Sequence, residues 1–114
     1  MTERLLQTSL FRLAEAHGIY ARKMQAVGHT GFPDVMLAYG GKVIFVELKS
    51  PTKRGILSEK QKREIGRLEA AGASVHIAET KASVEEIVKN ILRPSYDKRG
   101  RRLDNTTRGA THDD

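Results

Sequence analysis

The spacing of apolar residues predicts three helices in this chain. Leucine, isoleucine, valine or alanine recurs one turn apart in each of three segments, at about residues 3–17, 58–71 and 83–92. Thr2 is placed to cap the first helix. Ser58 with Gln61 has the capping-box spacing at the second helix, and Ser83 with Glu86 has it at the third. Each predicted helix therefore has a polar residue at the point where its apolar face begins.

Between these helices, apolar runs predict strands. The runs cover about residues 19–24, 34–39, 42–49 and 74–78. Gly40-Gly41 separates the second run from the third, and two glycines that both accept positive φ are a strong signal for a tight hairpin. The resulting order of helix, three strands, helix, strand and helix predicts an α/β sandwich with a mixed sheet.

The predicted hairpin brings charged residues together at its open end. Asp34 and Glu47 are equally far from the Gly40-Gly41 turn, so antiparallel pairing places them almost opposite each other. Lys49 lies two residues after Glu47 and therefore on the same face of its strand. Two adjacent carboxylates repel unless a cation lies between them, and Mg²⁺ binds one or two carboxylates while keeping waters for substrate phosphates. This end of the sheet is thus a candidate site for metal-assisted phosphodiester hydrolysis.

A purely structural interpretation of the same residues also stands. Strands often end in charged residues where they leave the core, and Glu47 and Lys49 would then form a surface pair. An acid followed at a distance by a Glu-x-Lys triplet also recurs by chance. The triad alone does not decide between the two interpretations, and its context in the chain is needed.

Composition narrows the class of partner. The 114 residues carry a formal charge of +6 and have a pI near 9.8, which favours nucleic acid over a generic basic protein as the interpretation. Tryptophan is absent and other aromatic residues are few, so phosphate contacts are expected to dominate over base stacking. No cysteine is present and no apolar run reaches transmembrane length, which favours a cytoplasmic location without membrane contact.

The last part of the chain differs from the rest. From Pro94 onward the residues are polar and rich in arginine, with almost no apolar side chains to offset the entropy of ordering. We therefore expect one domain over residues 1–93 and a flexible basic tail over residues 94–114. The expected single domain leaves little length for a separate base-reading domain, which favours recognition of DNA shape over sequence.

Several short motifs follow one another between about residues 3 and 80. An acid near the start of the first helix is followed by Gly-Phe-Pro-Asp at 31–34, Glu-Leu-Lys at 47–49, Ser-x-x-Gln at 58–61 and Ala-Gly at 71–72. This ordered set resembles the PD-(D/E)xK nuclease superfamily, and more narrowly a stand-alone VRR-NUC domain of phage and bacterial type. The resemblance implies a restriction-endonuclease-like α/β/α sandwich with a central mixed β-sheet.

The resemblance also implies a role for each matching residue. Asp34 and Glu47 match acids that hold Mg²⁺ or Mn²⁺, and Lys49 matches the catalytic lysine. Glu3 matches a helix-borne acid that completes the metal site, although the helix dipole also favours an acid at a helix start. Gln61 matches a catalytic-site glutamine, although it also has the capping-box position.

Basic residues near the predicted site are candidates for phosphate contacts. They are Lys23, Lys53, Arg54 and Lys60. A solvated surface position is the alternative for each of them. The literal Val-Arg-Arg signature is absent after Lys49, where Lys53 and Arg54 supply the basic charge. Gln7, one helical turn after Glu3, is expected to face solvent.

These patterns, together with the resemblance, predict a metal-dependent DNA endonuclease, and the resemblance implies a bacterium or a phage-infected host cell as its source. Similar stand-alone domains act as homodimers on branched DNA such as four-way junctions, so the resemblance implies a homodimer with two active sites. Two alternatives remain open: a nucleic-acid-binding module that kept the fold without cutting, and a restriction-type nuclease with sequence specificity. A pure binder gains nothing from two acids that face a polyanion, which argues against the first.

Overall fold

The computed structural model describes residues 1–25, 28, 31–50 and 56–103 of the chain. Three helices and four strands follow in the predicted order. They are α1 (Glu3–Ala16), β1 (Tyr20–Lys23), β2 (Val35–Tyr39), β3 (Lys42–Leu48), α2 (Glu59–Ala70), β4 (Ser74–Ala78) and α3 (Lys81–Leu92). Each element lies within about two residues of its predicted bounds, which confirms that apolar spacing governs the local structure.

The four strands form one mixed sheet in the order β1-β2-β3-β4. The first three strands are antiparallel neighbours, and β4 pairs parallel to β3 after the chain crosses over through α2. Gly40 and Gly41 form the hairpin turn between β2 and β3 with φ of 59° and 83°, because a two-residue turn of this kind needs positive φ at both positions. Pairing in this hairpin matches Tyr39 with Lys42 and Val35 with Val46.

The main core lies between one face of the sheet and the packed pair α1 and α3. Its buried side chains are aliphatic and include Leu6, Leu10, Val35, Leu37, Val46, Leu48, Val84 and Val88. Burying each such side chain contributes roughly 1.5–3 kcal/mol. Helix α2 packs against β4, and its Gln61 reaches Glu47, which alternates with the core residues of β3. Helices thus lie on both sides of the sheet.

Helix starts follow the predicted caps with one correction. Thr2 accepts a hydrogen bond from the backbone N–H of Leu5 and caps α1, as predicted. At α3 the predicted Ser83–Glu86 capping box is wrong, because Thr80 is the N-cap and forms the box with Ser83. The Thr80 hydroxyl accepts from the Ser83 N–H, so the helix has already begun at Lys81.

The predicted tail begins with a local turn over residues 95–103. Asp97 accepts hydrogen bonds from the backbone N–H groups of Arg101 and Arg99, which hold its carboxyl pKa below the usual range. Tyr96 and Arg102 form an isolated antiparallel bridge across the turn. Residues 104–114 lie outside the described part, so the boundary at residue 94 stays a prediction.

No helix within the described ranges combines the length and the apolar character needed to cross a bilayer.

Candidate active site

The open end of the β2–β3 hairpin fixes Asp34 beside Glu47. Continuing the pairing of Val35 with Val46 by one residue places Asp34 opposite Glu47, as the sequence predicted. The Asp34 side chain accepts a hydrogen bond of 2.8 Å from the backbone N–H of Leu48, and its carbonyl accepts one of 2.7 Å from Met24. Both neighbouring strands therefore hold this acid in place.

The carboxylate of Glu47 is almost fully buried, with 2% of its surface exposed. Its Oε2 accepts a hydrogen bond of 2.6 Å from Gln61 Nε2 and lies 3.4 Å from Lys49 Nζ. Its Oε1 is buried and has no hydrogen-bond partner among the described residues. Because a buried polar atom without a partner costs free energy, this oxygen marks a place where a ligand would stabilise the protein.

Burial and charge make both acids hard to ionise. Burial, and then the charge of Asp34, raise the pKa of Glu47 from 4.5 to about 7. Burial also raises the pKa of Asp34, against the hydrogen bond from Leu48 that lowers it. Lys49 opposes both shifts through its positive charge. The pair therefore favours a bound proton or a cation over two bare charges.

Gln61 fills two roles with different atoms. Its side-chain Oε1 accepts a hydrogen bond of 2.8 Å from the Ser58 N–H, while its own N–H donates to the Ser58 hydroxyl at 3.1 Å. This closes the capping box of α2 and leaves Nε2 to donate to Glu47. The structural and active-site interpretations of Gln61 are thus compatible, and the cap fixes which end of the amide faces Glu47.

Gly31 packs directly against the first turn of α2. It has φ of +95°, and an added Cβ would lie 2.9 Å from the backbone of Lys60 and Gln61. Only glycine permits this approach without a shift of backbone atoms. The turn before Asp34 therefore contacts the helix turn that carries Gln61. The sequence alone did not reveal this contact, although the motif at residues 31–34 includes Gly31.

Glu3 and four polar neighbours surround the entrance to the site. Glu3 accepts a hydrogen bond of 3.3 Å from the Ser50 N–H, which ties the start of α1 to the end of β3. A cleft of about 490 Å³ is lined by Glu3, Arg4, Gln7, Lys23, Asp34 and Leu48. Gln7 is half-buried and lines this cleft, and its expected solvent-facing position stays a prediction. Arg4 was missed, since helical spacing alone does not reveal which face borders a cleft.

The predicted phosphate-binding residues are distributed unevenly around this cleft. Lys23 lines it and is exposed. Lys60 is exposed in the first turn of α2, where its backbone meets Gly31. Lys53 and Arg54 lie outside the described residues. Of the two that the structure describes, Lys23 lines the cleft that holds Asp34 and Lys60 does not.

The acids present suit a divalent ion held by two carboxylates. Within residues 1–25, 28, 31–50 and 56–103, no three histidine, cysteine or acidic side chains are grouped to hold a metal, so Glu3 does not complete a preformed cage. Asp34 lines the open cleft, and Glu47, whose buried Oε1 has no partner among the described residues, lies opposite Asp34 in the hairpin register. Mg²⁺ commonly binds one or two carboxylates and completes its shell with water and phosphate oxygens. The donor set therefore fits this ion.

Comparison with known proteins supports the fold. The sequence matches no family model, and a search of curated proteins gave no match. Among solved structures, one described as a VRR_NUC domain superposes with a TM-score of 0.69 at 26% sequence identity. The match covers 78% of this chain and 97% of the other. The chain therefore has the VRR_NUC fold, a restriction-endonuclease-like arrangement of helices around a mixed sheet, as its motifs predicted.

Proposed function

We propose that this protein is a metal-dependent DNA endonuclease that hydrolyses phosphodiester bonds. The observation that carries the proposal is the buried Oε1 of Glu47, which has no partner in the described part of the chain and lies in a carboxylate paired with Asp34. A stabilising surface pair would expose or satisfy that oxygen. A site for a cation leaves it bare, because the ion is the missing partner.

Each residue of the site has a distinct task in this proposal. In this proposal Asp34 and Glu47 hold Mg²⁺ or Mn²⁺, and Glu3, which lines the same cleft as Asp34, assists them. When bound, such an ion would supply Lewis acidity to the phosphate and would activate a water for attack. Lys49, held near Glu47 at 3.4 Å, orients the attacking water or neutralises charge that develops on the phosphate. Gln61 fixes the carboxylate of Glu47.

Basic charge around the cleft supports DNA as the substrate. The chain carries a net charge of +6, and Lys23 and Arg4 line the cleft that holds Asp34. These cations would attract the phosphates that flank the scissile bond. Lys53, Arg54 and Lys60 extend this role in the proposal.

Branched DNA and a homodimer complete the proposed function. They rest on the likeness to VRR_NUC domains and on the absence of a recognised base-reading element among the described residues. A two-fold dimer would present two identical sites to two strands of a branch. Light scattering of the purified protein and mapping of paired cuts on a four-way junction test this part separately. The proposal places the protein in the cytoplasm of a bacterial or phage-infected cell, where it would encounter branched DNA.

The test of the enzyme is cleavage of labelled four-way junction, flap and linear duplex DNA with Mg²⁺, Mn²⁺ or EDTA. Lys49→Ala should lower cleavage by about 10²–10³-fold, because it removes one stabilising cation from the reacting phosphate. Lys89→Ala is the matched control, since Lys89 is an exposed lysine in the last turn of α3. EDTA should abolish cutting by the wild type.

Tight DNA binding without cutting under any metal would overturn the enzyme and leave a non-cleaving binding module of the same fold. Cutting at one base sequence regardless of DNA shape would instead support the restriction-type alternative. Cutting that survives Lys49→Ala but needs metal would remove Lys49 from the mechanism.

A further inference from the structure

A groove of about 760 Å³ adjoins the cleft that holds Asp34. It runs between α1 and β1, and Gln7 lines both the groove and the cleft. Its far end lies near Glu15, which is two turns or roughly 12 Å further along α1. The strand β1 forms this side of the groove as an edge of the sheet, since its one partner in the described sheet is β2. The groove is thus a continuation of the candidate active site.

The lining of the groove combines two cations and one acid, Glu15, with an apolar surface. Arg12 of α1 and Arg22 of β1 are exposed on its two sides. Phe11 and the buried Ile19 contribute apolar surface, and Tyr20 is half exposed. The Arg22 guanidinium lies 4.2 Å from the centroid of the Tyr20 ring. A nucleotide complements both parts of this lining, because its phosphate is negatively charged and its base has flat apolar faces.

The edge of β1 does not suit pairing with a second copy of this chain. Arg22 donates a hydrogen bond of 2.8 Å to the carbonyl of Ala21, which occupies a backbone acceptor of the short edge strand. Arg22 and Lys23 are also exposed there, so an antiparallel pair of β1 strands would bring like charges together. The charge of this edge instead complements a polyanion.

We propose that the groove binds a single strand of DNA that continues from the cleft. Arg12 and Arg22 contact its phosphates, and the Tyr20–Arg22 pair stacks on one unpaired base. A base within a duplex hides its faces in the stack, so only an unpaired base offers them to Tyr20. Because this role presupposes the nuclease proposed above, it narrows the substrate to branched DNA in which a single-stranded arm enters the groove.

The test measures binding in EDTA, so it does not depend on cutting. Fluorescently labelled duplexes with a 5′ arm, a 3′ arm or blunt ends are titrated with wild type and with Arg12→Gln/Arg22→Gln. The control Arg67→Gln/Lys89→Gln removes the same two charges from the last turns of α2 and α3. For an armed duplex, the groove variant should reduce the slope of log affinity against log salt by about 1.4, because it loses two single-strand phosphate contacts.

Stacking is tested with Tyr20→Leu and Tyr20→Phe. The leucine keeps an apolar side chain without a ring and should weaken binding to armed duplexes by about tenfold, whereas phenylalanine should bind like wild type. Blunt duplex binding should change little in either variant.

The groove would be overturned as a single-strand site if the groove variant lost equal affinity for armed and blunt duplexes. Equal losses of affinity in the groove and control variants would also overturn it. Preferential loss on armed duplexes without any cleavage by wild type would retain the groove and reject the nuclease. Cleavage by the wild type, together with unchanged DNA binding by the groove variants, would retain the nuclease and reject the groove as a DNA-binding site.

Discussion

The two ends of the β2–β3 hairpin share one hydrogen-bonded ladder but differ in how their polar groups are satisfied. At the turn end, Gly40 and Gly41 adopt positive φ without steric strain. The Lys42 ammonium group donates a hydrogen bond to the carbonyl oxygen of Arg93. At the open end, Glu47 is buried beside Asp34, and its Oε1 has no partner in the described ranges. The polar groups named at the turn end are thus satisfied, whereas the open end buries a carboxylate oxygen without a partner in the described residues.

This difference indicates where the proposed chemistry would cost the protein stability. A buried charge next to a like charge is unfavourable unless a cation or a proton joins them. The surrounding contacts nevertheless hold the pair rigidly, through Leu48 on Asp34 and Gln61 on Glu47. An arrangement that is costly in free energy but fixed by hydrogen bonds is what the proposed metal site would require. Four substitutions or conditions test the contrast between the two ends.

The largest expected effect comes from Glu47→Gln. The variant keeps the shape of the side chain but removes its charge, so metal affinity and cleavage should fall, with cleavage reduced on the order of a thousandfold. Calorimetric titration with Mn²⁺ and a cleavage assay measure the two losses. Full cleavage by this variant would show that Glu47 does not hold the metal.

The stability of the metal-free protein should depend on pH through the same residue. The pKa of Glu47 is about 7 in the folded protein against 4.5 ordinarily, so the folded state binds this proton more tightly than the unfolded state. The stabilising contribution of protonated Glu47 to folding is fully present below pH 4.5 and is lost as the pH rises through about 7. The loss should reach roughly 3 kcal/mol of unfolding free energy, and Asp34 adds to it in the same direction.

Urea unfolding in EDTA across this pH range, with Glu47→Gln as reference, measures the effect. The difference in stability between variant and wild type should grow with pH and shrink when Mg²⁺ is added. A constant difference would mean that Glu47 ionises normally.

Gly31→Ala should disturb the open end through packing alone. The new methyl group would meet the backbone of Lys60 and Gln61 at 2.9 Å, which should cost roughly 2 kcal/mol of stability. Displacement of Gln61 from Glu47 should also lower cleavage by about tenfold. Gly28→Ala is the matched control, because Gly28 also has positive φ but its added Cβ meets no described atom within 4 Å. Equal effects of the two variants on cleavage would contradict a positioning role for Gly31.

The smallest effect is expected at the turn end. Gly41→Ala places a side chain at φ of 83° and should cost about 1 kcal/mol of stability, while cleavage measured well below the melting temperature stays unchanged. Thermal unfolding and the cleavage assay together check this separation. A loss of cleavage comparable to that of Gly31→Ala would abolish the contrast between the ends.

Much of the fold and the central pair of acids could be predicted from local patterns. The Gly40-Gly41 turn sets the register of the hairpin, and that register places Asp34 opposite Glu47 without further information. The capping box of α3 was misplaced because Thr80 and Ser83 both have side chains suited to capping, and the pattern alone did not rank them. Local rules identify candidates more reliably than they choose between neighbours.

The contacts that complete the site depend on elements distant in sequence. Gln61 reaches Glu47 because the β3–α2–β4 crossover lays the start of α2 on the sheet, and Gly31 permits its close approach. The borders of the cleft, including Arg4 and Gln7, likewise depend on how α1 lies against β1 and β3.

The sequence by itself determined the helices, the strands, the hairpin register and the pairing of two acids with a lysine, because these follow from periodicity and turn chemistry over a few residues. Only the tertiary structure decided which oxygen of Glu47 is left without a partner in the described chain, which atom of Gln61 faces it, and that a cationic groove continues from the cleft. Burial and hydrogen bonding at these points arise from packing between distant segments, which no local pattern encodes.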